Sequence, residues 1–216
     1  MTSLRRFAFV MIAVAFAYSA GVGVAQAAPG DDAGKYIQGL GDQALVVITN
    51  QHFNPNQKQK ALEKIFSDNV DFPWVGRFVM GHFWRQATDE QKARYLKEYQ
   101  KFLILHYTSR FTRYSSGTFK VTSAKDDGDG EFTVSMQLQS DEPNSEPVLV
   151  DYRVRQEDGG FRIFDVIVEG VSLITTQRSE FASVITNNGI DYLIDQLAAK
   201  SKSGDMDMGD GKAAGK

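Results

Sequence analysis

The chain of 216 residues contains no cysteine, only three histidines and five prolines, and no excess of positive charge. Without cysteine there can be no disulfide framework, no thiolate nucleophile and no thiolate metal ligand. Basic residues number 24 against 27 acidic ones, so the cationic footprint of a nucleic-acid binder is missing and no nucleic-acid partner is expected. Long apolar runs are scarce too. The one candidate, residues 7–20, is followed by glycines at 21 and 23, contains Ser19, and falls short of the about 20 strongly apolar residues of a membrane span.

That run reads instead as an export signal. Arg5 and Arg6 form a positive start, the apolar stretch follows, and Ala25-Gln26-Ala27 is a small-x-small cleavage site, so residues 1–27 are expected to be a signal peptide. An exported chain without cysteine fits the bacterial envelope, and the expected location is the periplasm. Loss of Arg5 and Arg6 leaves 22 basic residues against 27 acidic ones, a net charge of −5. The remaining length suits one domain with a sizeable core, expected over residues 28–200. Residues 201–216 are Ser, Gly, Asp, Lys and Ala besides Met206 and Met208, and are expected to be a disordered tail.

The domain divides into a helical half, 33–115, and a half of sheet plus C-terminal helices, 117–200. In residues 33–50, Ile37, Leu40, Ala44, Leu45, Val47 and Ile48 share one side of a helix; Pro55 opens a second with Leu62, Ile65 and Phe66 inward. Pro73 starts a short third helix through Trp74 and Phe78, and Thr88-Asp89-Glu90-Gln91 is a capping box for a long fourth. The inner stripe of that helix, including Tyr99, Phe102, Leu103, His106, Tyr107 and Phe111, is bulky and aromatic, and the helix should end near Ser115-Ser116-Gly117. Residues 119–123, 132–138 and 148–154 alternate with period two between turns at 126–130, 141–144 and 157–160. Together with a strand from Phe161 they predict an α+β fold: a curved, four-stranded antiparallel sheet packed against helices.

Catalytic groups are sparse. His52, His82 and His106 are far apart, and there is no nucleophile elbow, HExxH or glycine-rich phosphate loop, so the chain is expected not to be an enzyme and to need no cofactor. His106 lies on an apolar helix face, where a core histidine competes with a general base. Asp165 and Glu169 on one strand face suggest an acid pair; hydrogen bonding around the turn at Gly170 is the competing reading. Asp126-Asp127-Gly128-Asp129-Gly130 resembles part of a calcium loop but lacks the EF-hand spacing and closing Glu, so no metal is expected.

Residues 161–181, FRIFDVIVEGVSLITTQRSEF, are the most informative. Phe161, Ile163 and Ile167 alternate with Arg162, Phe164, Val166 and Val168, so both faces of the strand are largely apolar and it should lie centrally in the sheet. Gly170 breaks the run, Ser172 can cap a helix carrying Ile174, Phe181, Val184 and Ile185, and Asn187-Asn188-Gly189 ends it. Phe161, Phe164, Asp165, Val166, Glu169, Gly170, Val171, Ser172, Leu173, Arg178 and Phe181, with Met80-Gly81-His82-Phe83-Trp84-Arg85 upstream, resemble the pattern of the MlaC or toluene-tolerance family, periplasmic phospholipid-binding components of the maintenance-of-lipid-asymmetry system. The resemblance spans residues 36–197, with Phe161 where the family often has Trp and another residue commoner at His82.

This resemblance implies an NTF2-like core with added N-terminal helices that holds phospholipid acyl chains between sheet and helices. The implied lipid-contacting residues are Trp74, Phe78 and Phe83 from the first half; Phe102, Leu103, Tyr107 and Phe111 from the long helix; Val134, Met136, Leu138, Val150, Tyr152 and Val154 from the hairpins; and Phe164, Val166, Val171, Ile174 and Phe181 from the last segment. Implied partners are an inner-membrane ABC transporter complex and an outer-membrane lipoprotein-porin complex. Three functions stay open on the sequence: a phospholipid carrier between the two membranes, a carrier of hopanoids or another apolar lipid, and an NTF2-like enzyme using Asp165 or His106.

Overall fold

A computed structural model describes residues 29–111, 117–140 and 146–203. The expected signal peptide, the turn at 141–144 and the tail from residue 204 onward lie outside the described residues. Three helices open the domain: α1 (Pro29–Thr49), α2 (Pro55–Asn69) and α3 (Phe72–Met80). α1 starts ahead of the expected span. α2 is fixed by a reciprocal box, Gln57 N–H donating to Asn54 Oδ1 at 3.0 Å and Asn54 N–H to Gln57 Oε1 at 2.9 Å. Asp71 caps α3 by accepting from Trp74 N–H at 3.1 Å. A 3-10 turn (Gly81–Arg85) leads to α4 (Asp89–Phe111), whose expected box is present: Gln91 N–H donates to Thr88 Oγ1 at 3.1 Å and Thr88 N–H to Gln91 Oε1 at 3.0 Å.

The sheet has strands β1 (Gly117–Gly128), β2 (Glu131–Ser140), β3 (Val148–Glu157), β4 (Gly160–Val168) and β5 (Val171–Ser172), hydrogen-bonded in that order and all antiparallel. One more strand is present than expected, because Val171 and Ser172 fold back onto Val168 and Ile167 around the turn at Gly170. Ser172 then caps α5 (Leu173–Asn188), accepting from Thr175 N–H at 3.2 Å, and α5 stops at Gly189, φ +90°. The last helix, α6 (Ile190–Ser203), runs past residue 200, so the first three residues of the expected tail are helical; Ser201 Oγ donates to Leu197 O at 2.8 Å.

The alternation expected along β4 is broken by a bulge. Arg153 faces Asp165 and Val154 faces Ile163, so Phe164 is the extra residue. Past it Val166 pairs with Tyr152, so Ile163 and Val166 share the α1-facing cluster and Phe164 joins the opposite one; continuous alternation would have put Val166 with Phe164.

Two hydrophobic clusters result. One lies between α1 and the sheet, around Ile37, Phe132, Val134, Met136, Val154 and Ile163; the other joins α3, α4, α5 and α6 to Phe164. Val70, at the end of α2, packs against both and forms a parallel bridge with Ile163, while Asp71 N–H donates to Ile163 O at 2.9 Å. α1 lies close on β1: Val121 N–H donates to Gln38 Oε1 at 3.0 Å, satisfying an edge-strand donor beside a register shift. The closest approach is at Gly41, where a Cβ would stand 1.9 Å from Cε2 of Phe119. Among the described residues no helix is long and apolar enough to cross a membrane.

Two neighbouring glycines therefore respond oppositely to Ala. Gly39→Ala, with nothing within 4 Å of the new Cβ, should stabilise the protein by up to about 1 kcal/mol through helix propensity. Gly41→Ala should cost about 1–3 kcal/mol, because the Phe119 ring must be displaced. Chemical denaturation of both variants decides this, and equal gains would show that α1 does not bear on Phe119.

Candidate functional site

Between the two clusters the elements leave a cavity of about 860 Å³. Its sheet side is Met136, Leu138, Tyr152, Ile163 and Val166, with Phe119 from β1. Opposite stand Ile37, Leu40, Ala44, Leu45 and Ile48 of α1 and Leu62, Ile65 and Phe66 of α2, while Tyr99, Leu103 and Tyr107 of α4 and Leu173 and Ile174 of α5 supply the third side. The wall is mostly hydrocarbon. Burial pushes the phenol of Tyr152 up to about 12 and that of Tyr99 well above its ordinary range.

The polar groups of the wall are largely engaged. Asn69 accepts from Tyr36 Oη at 2.8 Å and donates to Ile65 O at 2.6 Å; Tyr99 Oη donates to Gln177 Oε1 at 2.6 Å. Asp165 is buried, and its carboxylate accepts from Val166 N–H at 2.8 Å, Ser172 Oγ at 2.8 Å and Ile174 N–H at 3.4 Å. Burial raises its pKa, opposed by these three hydrogen bonds and by Arg153. The carboxylate thus ties β4 to the start of α5.

It is not half of an acid pair. Glu169 lies beyond β4 in the turn, at φ +49°, where its carboxylate accepts from Leu149 N–H at 2.7 Å and its own N–H donates to Leu149 O at 3.0 Å. The grouping of Asp165 with Glu169 on one strand face is corrected by the end of β4 at Val168. His106 is buried, with its ring 5.4 Å from Phe102 and 5.0 Å from Tyr107, and is not part of the wall; His52 is exposed in the α1–α2 connection and His82 lies in the 3-10 turn. At the β1–β2 tip Asp126 accepts from Gly128 N–H at 2.8 Å and Asp127 from Lys125 Nζ at 2.7 Å. Among the described residues no three His, Asp or Glu side chains are grouped to hold a metal.

Of the residues expected to contact lipid, Leu103, Tyr107, Met136, Leu138, Tyr152, Phe164, Val166 and Ile174 stand in the wall. Val134 and Val154 are fully buried in the α1–sheet cluster instead, and Val150 is buried in the sheet outside the wall. Phe102 and Phe181 are inside the helical cluster, with Trp74, Phe78 and Phe83 packed on its outside. Val171 is exposed, and the side chain of Phe111 lies outside what the structure describes. Sequence reasoning omitted the α1 and α2 residues from the site. Their apolar stripes were visible, but a stripe that faces a void has the same composition as one that faces a core.

The family model described as MlaC protein matches residues 38–199. A Haemophilus influenzae protein named intermembrane phospholipid transport system binding protein MlaC is 22% identical over 147 residues, covering 67% of this chain and 68% of that one. The toluene tolerance protein ttg2D of Pseudomonas putida is 27% identical over 150 residues, 68% of this chain and 69% of its own. A solved phospholipid-binding protein from Ralstonia solanacearum, in complex with a phospholipid, superposes with a TM-score of 0.69 at 25% identity over 80% of this chain and 98% of its own.

Replacing Asp165 by Asn keeps the size but removes acceptor capacity from three donors, and should destabilise the fold by about 1–3 kcal/mol. Because the folded-state pKa is raised, whatever stability the protonated form contributes is present at acid pH and lost as the pH rises through that value. The gap between wild type and Asp165→Asn, followed by thermal melting across pH, should therefore be widest at acid pH and narrow upward. A gap that widens with pH would mean that the ionised form is the one the fold favours.

Proposed function

The chain belongs to the MlaC family, and on that premise we propose that it is a periplasmic phospholipid carrier, sheltering acyl chains in the cavity between its two clusters while moving lipid between the inner and outer membranes. The cavity itself supports this reading most directly. Two chains of about 16 carbons need roughly 900 Å³, near the upper end of the usual pocket range of about 300–1,000 Å³, and the cavity measures about 860 Å³. Walls of Leu, Ile, Val and Phe offer water few partners. Such a lining suits an apolar occupant.

The need for a carrier follows from transfer energies. Exposing about 30 methylenes to water costs on the order of 24 kcal/mol at about 0.8 kcal/mol each, so a free phospholipid does not cross an aqueous gap at a useful rate. In a cavity about as apolar as a bilayer the exchange is near neutral, and direction comes from the partners: an inner-membrane ABC transporter complex and an outer-membrane lipoprotein-porin complex. Residues 1–27 serve as the export signal in this reading. Catalysis has no part in it, since Asp165 is committed to the β4–α5 junction and His106 to the helical cluster.

Lipid extracted from the purified protein and weighed by mass spectrometry should be two-chain phospholipid; a polycyclic lipid would replace the cargo assignment with a hopanoid-type one. Ala44→Trp, which fills the cavity from α1, should remove at least half of the bound phospholipid per protein, while Val46→Trp on the exposed side of the same helix should leave it unchanged. Full occupancy in Ala44→Trp would place the acyl chains elsewhere.

A further inference from the structure

Gly81, Trp84, Arg85 and Arg178 belong to the two stretches by which the sequence resembles its family, yet none of them reaches the cavity. They meet on the outside of the molecule, in a shallow depression of about 410 Å³ that Arg77 and His82 also line. Phe78 forms its base. The Arg178 guanidinium lies 4.9 Å over the Phe78 ring, and a Cβ on Gly81, held at φ +59°, would come within 3.2 Å of Arg178 Nε.

This depression is one end of a longer stack. Phe78 lies parallel to Trp74 at 5.2 Å and 11°; Arg155 sits 5.0 Å over Trp74 and 4.9 Å over Phe164, and Arg153 sits 4.7 Å over Phe164. Guanidiniums and rings thus stack from β3 across α3 to α5, with Trp74 directly on Phe78 in the middle. A guanidinium stacked on a ring uses its face and leaves the N–H groups of its edge to bind carboxylates in plane. Glu131 occupies Arg153 and Arg155 at 3.5 and 2.9 Å, whereas Arg77, Arg85 and Arg178 have no carboxylate partner among the described residues.

Unpaired cations concentrated on one face of a chain with more acidic than basic residues call for an anionic counterpart. A bilayer fits less well than a protein. None of the exposed large apolar residues, Val46, Phe53, Leu149, Val171 and Tyr192, lines the depression, and its own rings, Phe78 and Trp84, are half-buried rather than projecting, so little apolar surface is offered to a membrane interface. Arginine backed by Trp and Phe is instead the composition of protein–protein hot spots. We propose that this face docks an acidic segment of a partner protein, whose carboxylates take the free N–H edges of Arg77, Arg85 and Arg178. The inference goes beyond the carrier reading, and lipid occupancy measured in parallel separates the failure of one from the failure of the other.

The test uses the full exported chain with fluorescein-labelled octaglutamate as the acidic probe and phosphatidylglycerol vesicles as the anionic bilayer. The wild type should bind the peptide in a salt-sensitive way. The combined variant Arg77→Gln, Arg85→Gln, Arg178→Gln should bind it about tenfold more weakly, with bound lipid unchanged because none of the three lines the cavity, and with a melting temperature lowered by no more than a few degrees because only the Arg178–Phe78 stack is lost. Neutralising Lys35, Lys64 and Lys101 to Gln, an equal change of charge elsewhere, should leave peptide binding as it was. Absence of peptide binding by the wild type, equal affinity of the arginine variant, or equal weakening by the lysine variant would overturn the proposal. So would vesicle binding that depends on the three arginines when peptide binding does not.

Discussion

Val70 and Asp71 clip the α2–α3 junction to the sheet, and the cavity opens beside that small contact, with Val70 in its wall. One parallel bridge to Ile163 and one hydrogen bond from Asp71 N–H to Ile163 O join the α2–α3 junction to β4 at its bulge. Asp71 also caps α3, so the same residue sets the direction in which α3 leaves the contact. Beyond this point α2 and the sheet do not close on one another, and the space between them is the cavity. Two clusters that shared a long seam would have packed it shut at the density of an ordinary interior.

A second tie holds the far side of the same space. The Asp165 carboxylate gathers donors from β4, from the Ser172 cap and from the start of α5, so the bulge residue Phe164 and the first turn of α5 keep fixed places relative to each other. A buried carboxylate is costly unless its lone pairs are used, and here three donors use them. Its chemistry is spent on architecture, which is why the residue that looked most like an acid catalyst sits in the wall of a lipid-sized void without a second acid beside it.

The molecule also separates apolar from polar work. Acyl-length hydrocarbon walls lie inside, between α1, α2, α4 and the sheet. The arginines of the stack, with the half-buried Trp74 and Phe78, lie toward the outside on β3, α3 and α5, and α3 belongs to both because Val75 faces the cavity while Arg77 and Phe78 face the depression. A single short helix thereby connects the proposed docking face with the cavity.

Local chemistry made much of this legible in the sequence. Pro55, Thr88 with Gln91 and Ser172 set helix starts through local backbone chemistry, and the glycines at 130, 160, 170 and 189 set turns and stops through backbone freedom at positive φ. The α+β class and the family signature follow from such short-range patterns. The tertiary structure decided what no local pattern can encode. Tyr99 meets Gln177 across 78 positions, the bulge at Phe164 reverses the facing of Val166, and Ala44 and Ile65 border a void while Val134 and Val154 fill a core. The physical reason is that burial in a core and exposure to an apolar cavity demand the same side chains; they differ only in the distance to the next element, and that distance is set by long-range packing.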